Sequence, residues 1–162
     1  MRKLGLIGGM SWYSTRTYYE HINRLVQKSA GPRHSAPLLI ESLDFQDLQR
    51  LSTAEEWKQA ATTLAQSAKR LEKAGASAII IGANSMHKVH GEVQKAVDVP
   101  VIHIAECVAE RVAQDKRRKI ALIGTRNVML ESFYRQKLIE RDIELLPPEM
   151  AFVDTLDRII YD

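Results

Sequence analysis

Cysteine is almost missing from this chain: Cys107 is the one thiol in 162 residues. A single thiol cannot build a disulfide framework within one chain, so a reducing, cytoplasmic compartment is the expectation. No stretch approaches the roughly 20 apolar residues that a membrane-spanning helix needs. Met1-Arg2-Lys3-Leu4 runs into a short apolar segment and a glycine turn, not into a signal-peptide core. Charge of one sign is lacking too. Lys plus Arg is 23 and Asp plus Glu is 20, a formal balance of +3. With the basic residues scattered, that balance makes no case for a nucleic-acid partner. The one basic run, Lys116-Arg117-Arg118-Lys119, reads as a solvated turn after a helix, where cations suit the negative helix end. Glycines at 5, 8 and 9 do not fit the dinucleotide pattern G-x-G-x-x-G, and no Gly-Lys-Ser/Thr phosphate loop occurs. Metal-ligand spacing is missing as well. His87 and His90 stand at i, i+3, with His103 and Cys107 elsewhere, and no carboxylate or second cysteine completes a site. No metal site is therefore expected. Cys107 sits beside Ile104 and Val108 on an apolar helix face and reads as a buried, inert thiol.

What is present is an ordinary globular composition, 45% apolar and 27% charged, in a chain long enough to bury a core. Short runs rich in Ile, Leu and Val recur at 3–7, 37–41, 78–81, 99–104, 119–123 and 143–146. Such runs suit strands buried on both faces. Helical patterns lie between them, at 14–28, 85–96, 105–115, 127–140 and from Phe152 onwards. Another starts at Thr53, three residues before Glu56, and runs to Lys73 with Gly75 closing it, a capping-box opening and a glycine stop. Strands alternating with helices predict an α/β fold: parallel sheets flanked by helices, joined by right-handed crossovers.

Ligands of parallel α/β sheets bind at the carboxyl ends of strands, and three such ends draw attention. Gly8-Gly9-Met10-Ser11 follows the first strand. Paired glycines let backbone approach a ligand, and free N–H groups at the next helix start favour an anion; a tight turn without a ligand is the plainer alternative. Gly82-Ala83-Asn84-Ser85-Met86-His87 follows the third. Asn84 and Ser85 can cap the next helix or present an amide and N–H groups to a carboxylate. Gly124-Thr125-Arg126 repeats the arrangement, again either a capped turn or an anion site. His87 and Arg126 could each add positive potential, although His87 reads equally as a packing or capping histidine. Leu6-Ile7-Gly8 leads to Tyr18-Tyr19 much as Leu122-Ile123-Gly124 leads to Phe133-Tyr134. That likeness is either chance or a duplicated lobe.

The segment Leu6-Ile7-Gly8-Gly9-Met10-Ser11-Trp12, the pair Tyr18-Tyr19, and Asn84-Ser85-Met86-His87-Lys88-Val89 resemble the aspartate/glutamate racemase family. His34-Ser35, Asp44-Phe45, His103-Ile104-Ala105, Gly124-Thr125-Arg126, Phe133-Tyr134 and Arg158-Ile159-Ile160-Tyr161 fit the same pattern, so the resemblance runs along the whole chain. It is greatest to the branch of broad-specificity amino-acid and aspartate racemases. The resemblance implies two pseudo-symmetric α/β lobes with the active site in the cleft between them, here 1–104 as the first lobe and 105–162 as an incomplete second one. It implies chemistry without pyridoxal phosphate or metal, and a homodimer. Two cysteines, one per lobe, would stand on opposite faces of the substrate, a thiolate removing the α-proton and a thiol returning one. A thiol suits both roles because its pKa, ~8.5, is readily tuned.

The residues implied for binding are present: Gly8, Gly9 and Met10 on one wall, Asn84 and Ser85 at the substrate carboxylate, Gly124 and Thr125 at the second turn. The proton-transfer residues are not. Ala83 stands where the first cysteine precedes the Asn-Ser/Thr pair, and a methyl group carries no proton. The resemblance sets the second cysteine beyond Asp162. Ile159-Ile160-Tyr161-Asp162 ends within a helical pattern with no stop signal, so continuation past Asp162 is expected. Two functions follow as expectations. One is a racemase-family isomerase, inactive or limited to one-base chemistry. The other is a small-carboxylate or amino-acid binding protein on a racemase-like fold.

Overall fold

A computed structural model describes residues 2–161; Asp162, invoked above, lies outside them. The chain divides into two compact units, Met1–Ile102 and His103–Asp162.

The first unit is a four-stranded sheet built from β1 (Lys3–Gly8), β2 (Leu38–Ser42), β3 (Ala76–Ile81) and β4 (Val101–Ile102), in the order β2-β1-β3-β4. Every pairing is parallel. Helix α1 (Trp12–Ala30) joins β1 to β2, and α2 (Ala54–Lys73) joins β2 to β3. After β3 come a 3-10 turn, Ser85–Val89, and the short α3 (His90–Gln94). The fold is thus α/β, a parallel sheet flanked by helices.

The two sheet faces are unequal. Ile7, Ile79 and Ile81 point into the core against Trp57, Ala60, Leu64, Ala68 and Leu71 of α2. Leu64 and Ile79 are wholly buried, which at ~25 cal/mol per Å² stabilises by roughly 2–3 kcal/mol each. The opposite face carries the row Ile40, Leu6, Ile80 and Ile102, matched across the four strands by register. Leu6 is sealed, but Ile40 and Ile102 remain 40% and 38% exposed. Right-handed crossovers put α1 on this second face. Yet α1 contributes no buried residue, and Trp12, Tyr13, Tyr19 and Leu25 stand exposed on it.

Helix α2 starts as its sequence demands. The Thr53 hydroxyl accepts from the Glu56 N–H at 3.2 Å, and the Glu56 carboxylate accepts from the N–H groups of Thr53 and Ser52. Those backbone donors hold the Glu56 carboxyl down at about 2. Gly75, at φ 93°, turns the chain straight into β3.

Several boundaries differ from the sequence reading. The strand expected over 99–104 is two residues long. Pro100 offers no N–H, the N–H groups of Asp98 and Val99 are taken by the Glu72 carboxylate, and His103 becomes a helix cap with its Nδ1 accepting from the Ala105 N–H at 3.1 Å. The helix expected over 85–96 is divided at Val89 into the 3-10 turn and α3.

The second unit holds α4 (Ile104–Gln114), β5 (Lys119–Ile120), α5 (Arg126–Leu130), α6 (Ser132–Ile139), β6 (Glu144–Leu145) and α7 (Met150–Tyr161). β5 and β6 pair in parallel, with Lys119 and Glu144 bridged at 2.9 Å. They are shorter than the runs at 119–123 and 143–146 suggested. The helix expected over 127–140 breaks at Glu131, whose extended backbone caps α6. Helix α7 starts at Met150, just after Pro147-Pro148, rather than at Phe152. The core is Ala105, Ala109, Val128, Tyr134, Leu138, Ile143 and Leu145.

Cys107 is exposed, not buried as its apolar neighbours suggested, because α4 turns Ala105 and Ala109 inward instead. Partial desolvation, then the neighbouring Glu106 and Glu110 carboxylates, push its thiol upward. That opposes thiolate formation.

Candidate functional site

β1 and β3 are neighbours at the centre of the first sheet, with Ile7 beside Ile81. From β1 the chain proceeds to β2 on one side; from β3 it proceeds to β4 on the other. The crevice at their carboxyl ends is therefore a topological switch point, the usual ligand position in open α/β sheets. Gly8–Ser11 and Gly82–His87 both emerge there.

The first turn is a tight backbone structure. Gly9 sits at φ 84°, and its N–H donates to Thr15 Oγ1 at 2.8 Å. The Gly8 carbonyl accepts from the Leu43 N–H at 2.9 Å. The Met10–Ser11 peptide is cis. Ser11 caps α1 in extended conformation without a side-chain bond. Met10 turns its side chain into the core and is 5% exposed. Only its backbone remains to line a wall.

The second turn brings Ala83, Asn84 and Ser85 beside the first. The Gly82 N–H donates to the Ile7 carbonyl at 2.8 Å, and the Ser14 hydroxyl reaches the Gly82 carbonyl at 3.1 Å. Ala83 is half-buried against the core. Asn84 is exposed, already has helical backbone angles, and makes no capping bond with its side chain, so the capping role allowed for it is not taken up. Ser85 opens the 3-10 turn.

His87 does not lend positive potential. It is 2% exposed, with Nδ1 against the carbonyl of Ala83 at 3.0 Å and that of Asn84 at 3.3 Å. Desolvation drives its pKa down to about 4, against the pull of those carbonyls. It is neutral at pH 7 and ties the turn to its own backbone. The cation beside this turn is Lys88, whose Nζ lies 4.3 Å from the centre of the Trp57 ring. Sequence reading passed over Lys88, since only the fold shows that Trp57, 31 positions earlier, lies beneath it.

In the second unit, Thr125 caps α5 and its Oγ1 is buried with no partner among the described residues. Arg126 is not a free source of positive potential. Its guanidinium pairs with Asp154, and its backbone N–H donates to Asp157 Oδ1 at 2.7 Å. Two carboxylates of α7 thus already sit at this turn. Their i, i+3 spacing was the available signal and was missed. Among the described residues no three potential metal ligands gather, and no helix is long and apolar enough to cross a membrane.

A model of the Asp/Glu/Hydantoin racemase family matches residues 7–161. The chain is 26% identical over 141 residues to the broad specificity amino-acid racemase RacX of Bacillus subtilis (strain 168), covering 83% of this chain. It spans 60% of that relative's length. Among solved structures, a Yersinia pestis protein described as an Asp/Glu racemase matches with TM-score 0.90 and 40% identity, over 99% of this chain and 70% of the other. An aspartate racemase homologue from Pyrococcus horikoshii OT3 matches with TM-score 0.86 and 34% identity, over 100% of this chain and 71% of the other.

Proposed function

Because the chain belongs to the Asp/Glu/Hydantoin racemase family, we propose that its first unit holds the carboxylate of an amino acid or small dicarboxylate and lacks the thiol that two-base racemisation requires there. The observation carrying this reading is Ala83, half-buried at the end of central strand β3, between Gly82 and the exposed Asn84. Asn84, Ser85 and the Gly8–Ser11 backbone are the binding groups in this reading. Gly124 and Thr125 take the corresponding part in the second unit.

A proton leaves an amino-acid α-carbon only if a base of suitable strength stands against it, and such a base contributes typically 10²–10⁴-fold. A methyl group supplies nothing. Ser85 is a poor substitute, since its hydroxyl ionises far above neutral pH. His87 is buried with Nδ1 engaged by carbonyls, and Cys107 is a raised thiol on another unit. Proton removal at this turn is therefore stalled. What remains is one-base exchange or, in the second reading, binding alone; the same alanine favours both over two-base racemisation. The proposed chemistry uses neither pyridoxal phosphate nor metal.

The test is substitution Ala83→Cys, with deuterium uptake at the α-carbon of aspartate and glutamate followed by NMR in D2O. The parent should bind one of these in calorimetry and show no interconversion of enantiomers. The cysteine variant should raise exchange by at least about tenfold. Equal racemisation by parent and variant would refute the role given to position 83. A parent that binds no amino acid or dicarboxylate would remove the binding reading.

The exposed Trp12, Tyr13, Tyr19 and Leu25 of α1 support a homodimer. Light scattering should then give twice the chain mass, and a monomer at tens of micromolar would refute it.

A further inference from the structure

We propose that Thr15 is the positioning residue of the Gly8–Ser11 turn, and that with Ser14 it sets this turn against the Ala83–Ser85 turn. The inference rests on the carboxylate-holding reading for its effect on binding, but not for its geometry.

The Thr15 hydroxyl has one proton and two lone pairs. It donates to the Ser11 carbonyl at 3.2 Å and accepts from the Gly9 N–H at 2.8 Å. The first contact is the routine bond of a helical threonine to the carbonyl four residues back. The second is not routine. It reaches six residues back, out of the helix, to a glycine held at φ 84°. Shape fits as well as polarity. A Cβ on Gly8 would lie 2.6 Å from Thr15 Cγ2 and 2.7 Å from its Oγ1. The threonine fills the space that the glycine leaves.

Ser14, the preceding residue, serves the other turn. Its Oγ lies 2.9 Å from the Ser11 carbonyl and 3.1 Å from the carbonyl of Gly82, the residue before Ala83. One proton serves whichever carbonyl it faces. Two consecutive hydroxyls at the start of α1 therefore grip both strand ends at the switch point, and the Ser11 carbonyl is common to them. Any group presented by the two turns toward one ligand depends on that grip.

Thr15→Val keeps the shape against Gly8 and removes both hydrogen bonds. Thr15→Ser keeps both bonds and removes only a methyl. Thr17→Val is the control, since Thr17 makes the same helical bond, to the Tyr13 carbonyl at 3.0 Å, and touches no turn. Two readouts are taken on all variants: calorimetric Kd for L-aspartate and succinate, and hydrogen exchange of the Gly9 amide by NMR. Thr15→Val should weaken binding about fivefold and speed Gly9 exchange at least about tenfold. Thr15→Ser should return both to within about twofold of the parent, and Thr17→Val should change neither. If the parent binds neither ligand, the carboxylate reading fails, while Gly9 exchange still decides the geometry. If Gly9 exchange is unchanged in Thr15→Val, or if binding is unchanged with a parent that binds, the positioning role is wrong.

Discussion

Gly9→Ala should destabilise the chain by about 2–5 kcal/mol and abolish the proposed carboxylate binding. Two costs add. At φ 84° an alanine takes a left-handed conformation, worth roughly 1–2 kcal/mol. Its Cβ would also lie 2.0 Å from the Leu43 carbonyl oxygen and 2.5 Å from the Leu43 nitrogen. Those are backbone atoms, and the Leu43 N–H is already committed to the Gly8 carbonyl. Neither can swing aside, so the turn after β1 must move away from β2. Overpacking of this kind costs typically about 1–3 kcal/mol. Gly75→Ala separates the two contributions. Gly75 has φ 93°, but a Cβ there meets nothing closer than Lys3 Nζ at 4.0 Å. It should cost only the conformational share. Urea unfolding of both variants checks the difference, and equal losses would show that the turn yields without penalty.

Acid should weaken the fold through His87, by about 3 kcal/mol in full. The unfolded side chain takes a proton below pH 6.5, whereas the folded one resists until about pH 4. Between those values the unfolded state binds the extra proton, so stability falls as pH falls. Above pH 6.5 this contribution is intact, and below pH 4 there is no more to lose. The drop from 6.5 to about 4, at about 1.36 kcal/mol per pH unit, sets the size. Desolvation causes most of it, and the His90 ring, 6.3 Å away and nearly parallel, adds repulsion in the same direction. Urea midpoints from pH 7.5 to 5 measure the slope above the main carboxylate range. His87→Asn keeps a donor near the Ala83 carbonyl and has no proton to gain, so it should flatten the slope. A slope unchanged by that substitution would mean that His87 is not the group responsible.

The α/β architecture was legible because parallel strands buried on two faces need unbroken aliphatic runs, and Lys3–Ile7 and Ala78–Ile81 are such runs. The α2 start was legible because a capping box is local: Thr53 and Glu56 are three residues apart. The two glycine turns were legible for the same reason. What escaped depends on partners far along the chain. Nothing near Arg126 announces Asp154 and Asp157, which arrive from α7. Nothing in the hydropathy of His87 announces near-complete burial. Cys107 misled because its neighbours Ile104 and Val108 are apolar, whereas the core of that unit chose Ala105 and Ala109. The strand order, which makes the ends of β1 and β3 adjacent, is also a long-range property. It turns two separate sequence motifs into one candidate site.

The row Ile40, Leu6, Ile80 and Ile102 bears on how this chain behaves in a tube rather than on how firmly it folds. Sheets made wholly of parallel strands normally have both faces covered, and here the two outer isoleucines meet water. Their burial free energy is left for collisions between molecules to realise, so crowding and time act on the same surface. Sulfate and phosphate, which strengthen apolar association, would raise the unfolding midpoint while shortening the life of the solution. Colloidal lifetime and folding free energy then move in opposite directions, and the midpoint alone would rank storage conditions in the wrong order.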